Sequence, residues 1–134
     1  MTRARQRRLL QIAVGLACVV PLLAGGAGAV LGAAAFGDAR APNAADSHVR
    51  YLSGLLLGIG LAFAATIPGI ERHANRFRLL TFLVVVGGFA RLYGVLAAGP
   101  PGGAMLFGLG MELVATPLLC LWQAMLARDA TNPD

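Results

Sequence analysis

Arg91 and Glu112 are the residues of this chain best placed to do chemistry, because each is the only formal charge in a long apolar stretch. No Asp, Glu, Lys or Arg interrupts Leu79 to Ala90, Leu92 to Met111, or Leu113 to Ala127. A charge at bilayer depth costs about 2.5–3.5 kcal/mol even on the lenient insertion scale, so it faces a partner or a polar cavity. A guanidinium opposite a carboxylate can fix helix register, hold an anion, or let the carboxylate serve as acid or base. Counting back from the turn between them, Arg91 lies about 9 Å and Glu112 about 14 Å deep at 1.5 Å per residue. An arginine side chain spans that difference, so the two are expected to pair.

A second polar group surrounds Arg50, with Asp46, His48 and Tyr51 close by in sequence. Two arginines and the positive ends of two helices would make an outward-opening centre able to take a carboxylate or phosphate. The candidate ligand-binding residues are therefore Arg50, Arg91, Glu112, His48, Tyr51 and Asp46, and none is assigned a catalytic role. Arg50 alone also fits a side chain that reaches for lipid phosphate. No metal or cofactor is expected. His48 and His73 flank one apolar stretch and cannot share an ion, and no His, Cys, Asp or Glu cluster has zinc or haem spacing.

These residues need elements to position them, and composition says which. The chain has 134 residues, 57% of them hydrophobic and 13% charged, outside the soluble range. A soluble chain of this length could not cover so much apolar surface, whereas a bilayer accepts it. Abundant Ala, Gly and Arg, with no Lys, fits a GC-rich bacterial genome. Four segments are long and apolar enough to cross: about 9–36, 49–70, 77–98 and 104–127. Their hydrophobicity is unbroken, which favours helices over the alternation of a barrel strand.

The expected architecture is all-α: one integral membrane domain over 1–134, with four transmembrane helices in an up-and-down antiparallel bundle. Pro21 and Gly25, Gly26, Gly28 and Gly32 predict a kink, fraying or a break in the first span. Asp46 or Ser47 suits the start of the second. Gly99-Pro100-Pro101-Gly102-Gly103 is a tight turn. Pro68 and Pro117 are expected kinks, and Trp122, Gln123 and Arg128 an interfacial anchor. Met1 to Gln6 and Asp129 to Asp134 read as mobile tails.

Orientation follows the arginines. Arg3, Arg5, Arg7, Arg8, Arg72, Arg76, Arg78 and Arg128 fall on one side of a four-crossing chain, leaving Arg40 and Arg50 on the other. Both termini are thus expected on the cytoplasmic side of an inner membrane. The net charge of +5 divides in the same way, and with no basic stripe of interleaved aromatics it indicates no nucleic-acid partner. The first span shares a basic start and a small-residue end with signal peptides. Its apolar run is nearly twice an h-region of about 7–15 residues, so a retained anchor is expected.

Several stretches taken together resemble a family of small bacterial four-helix integral membrane proteins of unassigned function. They are Ser47 to Gly58 (SHVRYLSGLLLG), Ile70-Glu71, Phe77 to Leu80, Gly87 to Leu92 (GGFARL) and Glu112 to Gln123 (ELVATPLLCLWQ). The resemblance implies four membrane helices and supplies no substrate. A looser likeness to DoxX-like proteins is one of architecture only. Three functional classes follow. The first is a binding or accessory protein for an anionic amphiphile or a partner's helix. The others are an intramembrane enzyme using Glu112 as acid or base, and a subunit of a homo-oligomeric transporter. Binding ranks first and enzymatic activity lower, since no titratable pair is matched to acid–base work.

Overall fold

The computed structural model describes residues 2–131, and among these every regular element is helical. The elements are α1 (Arg3–Leu31), a 3-10 turn (Gly32–Phe36), α2 (Asn43–Ala64), a 3-10 turn (Ile70–Arg72), α3 (Ala74–Ala98), α4 (Gly103–Gly110), a π-helical turn (Met111–Ala115) and α5 (Thr116–Thr131). Four helical stretches are long and apolar enough to cross a membrane: Arg3–Phe36, Asn43–Ala64, Ala74–Ala98 and Gly103–Arg128. Leu16, Leu23, Phe82, Phe89, Leu96, Leu118 and Leu121 stand exposed along them. Water would penalise such a surface and lipid would not. The chain is a small multi-pass membrane protein.

Boundaries differ from expectation for local reasons. The expected tail Arg3 to Gln6 is already helical, and so is the chain after Arg128 as far as Thr131; Met1 and residues 132–134 lie outside the described residues. α2 begins at Asn43, next to Pro42 with φ −54°, ahead of Asp46 and Ser47. It ends at Ala64 because Pro68 cannot continue it and Gly69 adopts φ +68°, so Pro68 terminates a helix rather than kinking one. α1 runs through Pro21, Gly25, Gly26 and Gly28, and changes to the 3-10 turn only at Gly32, with φ +64°.

The chain forms two compact units, one comprising the stretch up to Ala13 together with everything from Thr66, the other Val14–Ala65. In the second, α1 and α2 run antiparallel at close range. A Cβ at Gly25 would meet Leu57 N at 2.6 Å, one at Gly28 would strike Ser53, and Gly60 leaves room for the Pro21 ring. These glycines let backbones approach, which is their use in membrane helices. Val14, Cys18, Ser53 and Phe63 are buried here.

In the first unit α3 packs antiparallel to the fourth crossing, and a Cβ at Gly88 would meet Leu113 Cδ2 at 2.7 Å. The short turn between them uses Gly99 and Gly102 at φ +87° and +109°. Leu10, Ile70, Phe77, Leu80 and Leu126 form the core of this unit, with Thr66 and Gln123 also fully buried.

Candidate functional site

Arg91 projects from α3 onto the π-helical turn of the fourth crossing. Its Nε donates to Glu112 Oε2 and its Nη2 to Glu112 Oε1, both at 2.9 Å. This is the two-bond fork that makes an arginine–carboxylate pair strong and directional. Nη1 leans on Met105 Sδ at 3.1 Å, a weak acceptor. A guanidinium has five N–H groups, so two remain without an acceptor among the described residues. The Arg91 side chain is 33% accessible and that of Glu112 17%.

The turn that carries Glu112 has a local cause. Pro117 lacks an N–H, and its ring would crowd the carbonyl four residues earlier, at Leu113. A wide turn relieves that crowding, and Thr116 closes it by donating both its backbone N–H and its Oγ1 to Met111 O, the latter at 2.8 Å. The expected kink at Pro117 is thus expressed as one π turn ahead of it, a feature often found at functional sites. Glu112 sits inside this turn. Gly88 brings α3 close to it, with Glu112 Cβ 2.9 Å from where a Gly88 Cβ would be.

The other glycines at helical spacing from the charges divide. Gly108 faces the guanidinium, and a Cβ there would lie 4.0 Å from Arg91 Cζ. Gly87 and Gly94, along α3 beside Arg91, and Gly54 and Gly58 on α2 could each carry a Cβ with nothing among the described residues within 4 Å of it. Open space therefore borders the pair along α3.

The second polar group lies in the other unit and is occupied differently. Arg50 Nε donates to Asp46 Oδ2 at 2.7 Å, and Nη1 donates to the carbonyls of Val30 at 2.7 Å and Ala29 at 3.3 Å. Asp46 Oδ1 accepts the N–H of Ala33 at 2.8 Å. The last carbonyls of a helix have no intrahelical partner, and here Arg50 takes two of them. Gly32 is what permits it: its positive φ turns the chain, and a Cβ there would run into Asp46 Oδ1. Asp46 and Arg50 thus clasp the end of α1 to the start of α2. His48 and Tyr51 are exposed on the same helix. Of the six candidate residues, the structure brings Asp46 to Arg50 and Arg91 to Glu112.

Sequence reasoning passed over a third polar set, which holds the connection between α2 and α3. Gln11 Nε2 donates to Ile67 O at 2.8 Å, Gln123 Nε2 to Ile70 O at 2.9 Å, and Arg7 Nε lies 3.3 Å from Glu71 Oε2. Gln123, expected at the interface beside Trp122, is fully buried, and its Oε1 has no partner among the described residues. The available signal was an amide inside an apolar run, since an irregular connection must give its carbonyls to side-chain donors.

No curated protein and no solved structure matches the chain. One family does, that described as a domain of unknown function (DUF4345), and its match takes in residues 9–123. A match over most of the length, on a chain of four apolar helices with a paired charge within the last two, identifies this protein as a member of the DUF4345 family.

Proposed function

We propose that the chain is an inner-membrane protein, with both termini cytoplasmic, that works as a binding or accessory protein through Arg91. The anionic group of an amphiphile, a carboxylate or phosphate, is received by the edge of the guanidinium that Glu112 leaves unused. One observation carries this: a partly accessible arginine in an apolar crossing, with two N–H groups lacking acceptors among the described residues and open space at Gly87 and Gly94. Such donors in hydrocarbon are costly until an acceptor arrives. Glu112 supports the same reading over catalysis. Both of its oxygens already accept from Arg91, a geometry that suits orienting the cation.

Mass spectrometry of gently extracted protein tests it. The wild type should carry an anionic amphiphile that Arg91→Ala loses and Arg91→Lys partly retains. Recovery of the same neutral lipids from all three would overturn the proposal.

A further inference from the structure

We propose a second, separate site: the arginine-rich end of the first unit holds the phosphate of an anionic lipid in a recess lined by Arg3, Ala4, Arg7, Glu71 and Leu126. The recess has a volume of about 230 Å³. That is below the roughly 300–1,000 Å³ of small-molecule pockets and suits a glycerophosphate head group.

The lining residues divide the work. Arg3 and Arg7 are one helical turn apart and share a face of α1. Arg7 is engaged with Glu71, whose side chain is only 15% exposed, so those two charges largely answer each other. Arg3 is exposed and has no acceptor among the described residues, and it leaves the recess with a net positive charge. Leu126, 2% exposed, supplies an apolar wall that suits the glyceryl carbons of a lipid and gives nothing to a hydrated phosphate ion.

Depth makes the same selection. The uncharged stretch of α1 begins at Leu9, two residues past Arg7, so the recess lies where a bilayer's head groups begin. A basic pocket at that level is the usual seat of an anionic head group. The site uses neither Arg91 nor Glu112 and stands or falls independently of them.

The test titrates the full chain, in a neutral detergent, with short-chain phosphatidylglycerol and follows the bound fraction by native mass spectrometry. Near an anionic head group each arginine contributes about fivefold in affinity. Arg3→Ala should therefore weaken binding about fivefold. Arg5→Ala, which removes the same charge from a residue outside the recess, should change it less than twofold. Phosphatidylcholine and inorganic phosphate at the same concentration should compete poorly. Equal weakening by Arg3→Ala and Arg5→Ala would mean diffuse attraction and overturn the site. Competition by inorganic phosphate as strong as that by the lipid would overturn a lipid as its occupant.

Discussion

Replacing Arg91 by alanine leaves the Glu112 carboxylate in apolar surroundings with nothing to answer its charge. Breaking a fully buried pair costs about 3–5 kcal/mol; here the cost should be nearer 2 kcal/mol, because a third of the arginine side chain is accessible. Arg91→Leu and Glu112→Leu should each lower the midpoint of thermal unfolding in detergent, while the double substitution recovers most of the loss. Additive effects would mean the two are not coupled. This pairing was legible in the sequence, because two lone charges at similar depth on consecutive antiparallel helices have few other partners. The clasp of Asp46 and Arg50 on α1 was not legible. It depends on where α1 ends, and that is decided by the positive φ of Gly32, one of several glycines at which the sequence allowed a break. The clasp spends Arg50 on backbone carbonyls, so substitutions there will disturb the end of α1 whatever else they do.

Hydropathy gave the third and fourth crossings to within a few residues, whereas the second, expected over about 49–70, is Asn43–Ala64, a shift that traces to Pro42, Pro68 and Gly69. The same two residue types decide how closely the helices pack. Gly25 and Gly26 are adjacent in α1 and should behave oppositely. A methyl at Gly25 meets the backbone of Leu57 and Ser53, which cannot yield, whereas one at Gly26 meets nothing among the described residues. Gly25→Ala should cost about 1–3 kcal/mol by overpacking. Gly26→Ala should be neutral or slightly stabilising through helix propensity. Thermal unfolding of the two purified variants checks this, and equal midpoints would contradict the close approach of α1 and α2. Of the first-span glycines expected to weaken it, Gly32 does end α1, whereas Gly25 and Gly28 are packing contacts, because spacing alone does not say whether a glycine breaks a helix or admits a neighbour.

For the molecule as a whole, composition alone was enough to require a membrane, and the placement of arginines predicts its sidedness. Cys18 and Cys120 are both free, so they can be replaced and single reporters introduced. Ala39→Cys and Gly102→Cys should react with an impermeant thiol reagent added outside intact cells, and Asn75→Cys only after the membrane is opened. The reverse pattern would invert the assignment. The first unit also joins early and late stretches of the sequence, since Arg7 and Gln11 find Glu71 and Ile67, and Leu126 shares a recess with Arg3. During synthesis, then, Arg3, Arg7 and Gln11 wait for residues made much later. Until α5 has entered the bilayer, Arg3 and Leu126 cannot meet, and a chain stalled at Ala65 would offer Gln11 no carbonyl at Ile67. Premature termination should therefore leave the turns that carry Arg7 and Gln11 open to proteases, linking damage late in the polypeptide to clearance from its early part.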